Sequence, residues 1–313
     1  MMIRTVCLNP AIDQTIALNT LTPGEVLRAD ASRHDPGGKA VNVASCLADW
    51  GRMVVVTGLL GRDNAASFEQ LFAQKGIVDY MIRVGGATRT NIKILEQGGR
   101  TTDVNLPGFV AAPDDVKGVF NQLAKVVAGD LVVISGSQPQ GLPEDTTARL
   151  VADLAGRGAR VVLDVSGAPL AQALAGPALP FAVKPNRHEL EALLGRDLSD
   201  AADLVAAGRE LLARGVKLVV VSMGTDGALF LTDQGGVTAH PVQIATGSSV
   251  GAGDAMVAGI AAGLAEGLDL GALARQATAF AAGKLQNAGP HLPPVAQVRA
   301  LAAQVRLTGL QNI

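Results

Sequence analysis

Leu218-Val219-Val220-Val221 runs straight into Ser222-Met223-Gly224-Thr225-Asp226-Gly227, and the architecture can be read outward from this junction. A short unbroken apolar run rich in valine fits a strand covered on both faces, and the glycine-rich turn marks its end. The same signature recurs at Met53-Val54-Val55-Val56, Leu131-Val132-Val133-Ile134 and Val161-Val162-Leu163. Helical spacing fills the intervals. Val41, Ala44 and Leu47 or Ala48 share one face, and Met256, Ile260 and Leu264 share another. Strands alternating with helices predict an α/β fold, a doubly wound and mainly parallel sheet flanked by helices.

Two stretches depart from that alternation. Residues 12–18 and 25–35 alternate apolar and polar side chains around a turn at Pro23-Gly24. Residues 88–105 read as a hairpin, with Thr90–Leu95 and Thr101–Leu106 joined at Gln97-Gly98-Gly99. We expect a single domain over residues 1–313, with a small β lid formed from about 12–35 and 88–106. Such a lid has one face free to cover a ligand or to pair with a second copy of the chain, which makes a homodimer the expected assembly.

Composition excludes several classes. Of 313 residues, 48% are apolar and 17% charged, so the chain can bury a sizeable core and is not disordered. The net charge of -2, without blocks of one sign, argues against a nucleic-acid or anionic-membrane surface. Cys7 and Cys46 lack metal-type spacing and read as buried thiols. No apolar run approaches the ~20 residues that span a bilayer. The opening run Ile3–Leu8 reads as a strand rather than a leader, and the expected location is the cytoplasm.

The chemistry concentrates in Thr246-Gly247-Ser248-Ser249-Val250-Gly251-Ala252-Gly253-Asp254, which opens a helical pattern. Small residues admit close approach of the backbone to a ligand, and free amides at a helix start favour an anion. A carboxylate there can take a proton from a hydroxyl while the amides of Gly251, Ala252 and Gly253 hold a phosphoryl group. Taken alone, G-x-G-D is more readily read as a turn with a helix cap, and no G-K-[ST] follows to make it a Walker loop.

Val250–Met256 resembles the second signature of the ribokinase-type (PfkB) carbohydrate kinases, and Pro36-Gly37-Gly38-Lys39-Ala40-Val41-Asn42-Val43-Ala44 resembles the first. The likeness extends from Asn9-Pro10-Ala11-Ile12-Asp13 to Asn287. It implies a ribokinase-like fold, Asp254 as the base and the preceding amides as an anion hole. Finer features resemble the family's 1-phosphofructokinase branch: Leu8–Asp13, Thr88-Arg89-Thr90-Asn91-Ile92-Lys93, Thr101–Phe109 and Val183-Lys184-Pro185-Asn186. That branch phosphorylates fructose 1-phosphate at the C6 hydroxyl. Tagatose-6-phosphate kinases and minor 6-phosphofructokinases share part of the pattern and are the nearest alternatives. A non-catalytic sugar-phosphate sensor, or a purely structural dimer module, is the reading from another class.

The resemblance also distributes the binding roles. Asp13 and Asn42 match residues that contact the sugar. Gly37 and Gly38 are substrate-binding candidates, and Lys39, together with Arg89 and Lys93 at an even spacing on one strand face, is expected to take the substrate phosphate. Arg28 and Ser137 are further substrate candidates. On the nucleotide side stand Lys184, Asn186, Ser222, Gly224, Thr225, Gly227 and Asn287, at strand ends where such sheets bind ligands. Asn186 and Glu189 match an N-x-x-E motif that supports Mg²⁺ through water and phosphate, alongside ATP as co-substrate. A monovalent cation such as K⁺ is also implied. His34, His188, His240 and His291 show no metal spacing. One departure stands out: Ala40 replaces the family's glycine, a strained choice if that position needs a positive φ.

Overall fold

Buried strands with no polar alternation need cover on both sides, and the chain supplies it by interleaving helices. The computed structural model describes residues 2–242, 251–287 and 289–310. The chain begins with β1 (Ile3–Cys7), β2 (Ala11–Leu18), β3 (Ala31–Gly37), α1 (Lys39–Asp49), β4 (Val54–Gly61), α2 (Ala66–Lys75), β5 (Val78–Val84), β6 (Arg89–Glu96) and β7 (Thr101–Asn105). It continues through α3 (Pro113–Leu123), β8 (Leu131–Ser135), α4 (Thr146–Gly156), β9 (Arg160–Asp164), α5 (Ala168–Ala175), β10 (Ala182–Val183), α6 (Arg187–Leu194) and α7 (Ala201–Arg214). The last part holds β11 (Leu218–Ser222), β12 (Ala228–Thr232), β13 (Gly235–Ala239), α8 (Ala252–Glu266), α9 (Leu270–Leu285), α10 (Val295–Gln304) and β14 (Leu307–Gly309).

Ten strands form one sheet in the order β14-β13-β12-β11-β10-β9-β8-β1-β4-β5. From β5 to β11 all neighbours are parallel, and β12, β13 and β14 add an antiparallel edge. Period-2 alternation sends successive residues of one strand to opposite cores. Leu131 and Val133 enter one cluster with α1, α2, α8, α9 and α10. Val132 and Ile134 enter the other with α3, α4, α5, α6 and α7. The expected doubly wound, helix-flanked sheet is therefore present.

A separate four-stranded sheet has the order β3-β2-β6-β7. It is mixed: β2 pairs antiparallel with β3 and parallel with β6, and β6 pairs antiparallel with β7. The hairpin expected around residues 97–99 is formed, with Gly99 N donating to Glu96 O at 2.8 Å. The second expected strand differs. It begins at Ala31 rather than 25, because its pairing with β2 ends at Ala17↔Ala31. Residues 25–30 run outside the sheet, which puts Arg28 on an exposed loop rather than on a strand.

Candidate active site

Parallel strands bring their C-terminal ends to one edge. Ser135 ends β8 in register with Asp164 at the end of β9, and Lys184 follows β10 directly. Asp164 is 2% exposed and binds three groups. Ser135 Oγ donates at 2.8 Å, Lys184 Nζ lies at 3.1 Å and Lys39 Nζ at 3.4 Å. Burial alone would raise the Asp164 carboxyl, but Lys184 and Lys39 outweigh it and hold it below the usual carboxylate range. Lys39 opens α1, where a cation opposes the helix dipole. Burial also disfavours its charge, yet Asp164, Asp254 and Glu189 together raise its pKa.

Gly251 caps α8 with φ 81°, a left-handed conformation that glycine adopts freely. Ala252 and Gly253 follow in the first turn, and Asp254 lies within it. Asp254 is 8% exposed. Its pKa is pushed up to about 6, first by burial and then by the negative charge of Asp164. Asn42 on α1 opposes that rise by donating from Nδ2 to Asp254 Oδ2 at 2.8 Å. A carboxylate poised near neutrality, at a helix N-terminus and next to a row of amides, is equipped to accept a hydroxyl proton beside a phosphoryl group. Residues 246–250 of the same motif lie outside the described residues.

Asn42 also reaches the small sheet. A Cβ placed on Gly37 would stand 2.7 Å from Asp13 Oδ2 and 3.3 Å from Asn42 Oδ1, so glycine leaves room for both side chains here. Gly38, with φ 99°, turns the chain into α1. Ala40 lies inside α1 and fully buried, and no non-glycine residue among those described has a positive φ, so its extra methyl brings no backbone strain. Asp13 accepts from Asn91 Nδ2 at 2.9 Å, and burial raises its pKa against the pull of Asn91 and Arg89. Pairing Ala11↔Arg89, Asp13↔Asn91 and Thr15↔Lys93 sets Arg89, Asn91 and Lys93 on the face of Asp13. Arg89 reaches toward the Asn9 and Pro10 carbonyls at 3.5 and 3.4 Å, and Asn9 Nδ2 donates to Ser137 Oγ at 3.0 Å. Lys93 is tied to Asp103 at 2.7 Å.

Further along the strand ends, Asn186 and Glu189 form a reciprocal capping box at the start of α6, each accepting from the other's backbone N–H at 2.8 Å. Ser222 ends β11 and bridges to Asn186. Gly224, Thr225 and Gly227 make the tight turn into β12, closed by Met223 N donating to Gly227 O at 2.8 Å. Asn287 lies just past α9, its Nδ2 donating to Gly283 O at 3.3 Å. Among the described residues, no group of three or more His, Cys, Asp or Glu side chains could hold a metal.

Direct contacts thus join Lys39 and Lys184 through Asp164, Asn42 to Asp254, and Arg89 to Ser137 through Asn9, whereas Arg28 stands apart on its loop. Sequence reading passed over four others. Asp164 was visible only as an acid after a buried run, and Lys284 only as a lone lysine in a helical pattern. Asn9 and Asn91 stood inside quoted motifs without a role.

The model of the pfkB family carbohydrate kinases matches residues 7–296. The chain is 53% identical over 306 residues to the 1-phosphofructokinase of Xanthomonas campestris pv. campestris, covering 96% of each. It is 47% identical over 314 residues to that of Rhodobacter capsulatus, covering 99% of each. Among solved structures, phosphofructokinase-2 of Escherichia coli with fructose-6-phosphate superposes with a TM-score of 0.90 at 28% identity, covering 97% of this chain and 98% of that one. The same enzyme has been solved with potassium, at a TM-score of 0.91, and in a tetrameric inhibited form.

Proposed function

The chain belongs to the pfkB family of carbohydrate kinases, and from that premise we propose that it transfers the γ-phosphoryl group of ATP to the C6 hydroxyl of fructose 1-phosphate. The observation that carries the mechanism is Asp254: a buried carboxylate with a pKa near 6, at the amide-rich start of α8. Asp13 and Asn42 hold sugar hydroxyls, and Asn42 keeps the Asp254 carboxylate turned toward them. Arg89 and, more weakly, Lys93 receive the substrate's own phosphate on the face of β6 that they share with Asn91, with Ser137 near Arg89 through Asn9. Asp254 takes the C6 hydroxyl proton as that oxygen attacks phosphorus in line. The amides of Gly251, Ala252 and Gly253 hold the transferring group, and Lys184 faces its charge together with Lys39, whose pairing with Asp164 favours this role over the substrate phosphate expected of it.

Magnesium would supply charge neutralisation across the ATP phosphates. The residues present suit an ion that arrives with the nucleotide and keeps its waters: Glu189 offers one carboxylate near Lys39, and Asn186 fixes it through the capping box. Ser222, Gly224, Thr225, Gly227 and Asn287 line the nucleotide side. The small sheet acts as the lid. Its other face carries Ile16, Ile92, Ile94 and Val104, with Val104 44% exposed, and a homodimer through that face would cover them. Light scattering showing only monomer would count against the dimer. A cytoplasmic location accords with ATP as co-substrate, and no helix among the described residues is long and apolar enough to cross a membrane.

The test is an ATP-coupled assay with Mg²⁺ and equal concentrations of fructose 1-phosphate, fructose 6-phosphate and tagatose 6-phosphate. Fructose 1-phosphate is expected to give by far the highest kcat/KM. A higher value for another sugar phosphate would move the substrate assignment to the tagatose-6-phosphate or 6-phosphofructokinase reading and leave the role of Asp254 intact. Turnover of none would favour the sensor.

A further inference from the structure

Two buried lysines flank the amide row at the start of α8, and their situations differ. A Cβ built on Gly253 would lie 3.9 Å from Lys184 Nζ, and one built on Gly251 would lie 3.1 Å from Lys284 Cε and 3.7 Å from its Nζ. Lys184 is 5% exposed and neutralised by Asp164. Lys284, in the last turn of α9, is 8% exposed and forms no ion pair with any described carboxylate. Among the described residues, its ammonium makes one hydrogen bond, from Nζ to Asn287 O at 3.1 Å.

Burying an ammonium without a counter-ion is costly, and the usual remedy is a partner or loss of the proton. Burial does push the Lys284 pKa down. Cys46, Asp254 and Asp35 pull it back up, and Arg33 adds to the fall. None of these is a bonded partner. The position of the ammonium suggests what completes it: the same amide row is where a transferring phosphoryl group gathers negative charge. An ammonium held by a backbone carbonyl also occupies the kind of setting in which a monovalent metal ion would sit. A second cation beside Gly251 would be repelled by it.

We propose that Lys284 is an electrostatic support for phosphoryl transfer. Its tethered ammonium supplies the fixed positive charge beside the Gly251–Gly253 amides that a bound monovalent ion would otherwise provide, so the reaction of this chain needs no such ion. The proposal rests on the kinase reading above. It adds a residue to that reading and removes potassium from it.

The experiment compares the wild-type chain with Lys284→Met, which keeps length without charge, and Lys284→Ala, which leaves room. Wild-type kcat should stay within about 2-fold when tetramethylammonium replaces potassium at equal ionic strength. Lys284→Met should lose about 10- to 100-fold in kcat, with the sugar-phosphate KM within about 3-fold. Lys284→Ala should be as slow, and ammonium or potassium, but not tetramethylammonium, should restore it several-fold. A lysine that only packs α9 would show no such rescue. Calorimetric binding of a non-hydrolysable ATP analogue gives a readout independent of turnover, with about 10-fold weaker affinity expected in Lys284→Met. A wild-type requirement for potassium, an unchanged kcat in Lys284→Met, or a loss that no small cation rescues would overturn the proposal. If the wild type phosphorylates no sugar phosphate, the kinase reading fails separately, and an unchanged nucleotide affinity in Lys284→Met would still sink the role of Lys284.

Discussion

In the large sheet every residue of β1, β4 and β8 is buried, whereas in the small sheet no residue of β7 is. The two sheets hold their side chains by different means. Asp164 and Lys184 are fixed by burial and mutual charge, with little freedom to yield. Arg89 and Lys93 stand on a lightly covered strand, gripped by long contacts to carbonyls or by a surface ion pair. Bond-making chemistry tolerates displacement poorly, so it belongs on the rigid edge. Recognition can be completed by closure, so it suits the thinner sheet. The comparison makes a sharp demand: changes at the large sheet should appear in kcat and stability, and changes on the small sheet in KM.

The largest effect should come from Asp254→Asn. It removes the base and leaves a near-isosteric side chain, and kcat should fall by about 10² to 10⁴ with substrate binding little changed. Near-normal turnover would end the assignment of Asp254. Next in size is Asp164→Ala. Lys184 would be left as a buried cation without its counter-charge, and Lys39, which is 41% exposed at its side chain, would be freed toward solvent. Denaturant titration should show a loss of about 3 kcal/mol, because orphaning one member of a buried pair costs most of that range. A stability change below about 1 kcal/mol would mean that water already relieves the pair.

Which of these residues the sequence exposed follows from how each is held. Buried strands advertise themselves, since burial on both faces forces unbroken apolar runs such as Leu131–Ile134. Gly37-Gly38-Lys39 and Gly251-Ala252-Gly253-Asp254 are legible because close approach at Gly37 and left-handed turns at Gly38 and Gly251 favour glycine there. Asp164 is silent for the opposite reason: an acid after a strand is common, and its meaning lies in two lysines that come from positions 39 and 184. Lys284 is silent too, since burial beside Gly251 arises only when α9 packs on α8. The start of β3 was misplaced because residues 25–30 lack a ladder: only Asp30 N reaches β2, at Ala17 O, and pairing proper starts at Ala31.

On the small sheet, Arg89→Ala should raise the KM for the sugar phosphate by about 30-fold, the value of a lost charged contact to phosphate, with kcat within a few-fold. Lys93→Ala should cost only about 2- to 3-fold in KM, because its charge is already engaged by Asp103 near the surface. Reversal of that order would show that Lys93 abandons Asp103 for the substrate on closure. A fall in kcat without a rise in KM for Arg89→Ala would break the division between the sheets.

The subtlest effect probes Asn42, the residue that joins the two regions. Its amide donates to Asp254 Oδ2 at 2.8 Å, and that bond favours the ionised carboxylate against burial and the charge of Asp164. Asp254 accepts a proton only when ionised, so kcat/KM should decline as pH falls through about 6. In Asn42→Ala the opposing hydrogen bond is gone, the carboxyl pKa rises further, and the acid limb moves to higher pH by about 0.5 to 1 unit. The plateau above the limb will fall as well if the same amide holds a sugar hydroxyl, but a lost sugar contact alone lowers the whole curve without moving its inflection. The two contributions of Asn42 therefore separate within one pH series. An acid limb that stays in place, or moves to lower pH, would show that Asn42 serves the sugar and has no hold on the base.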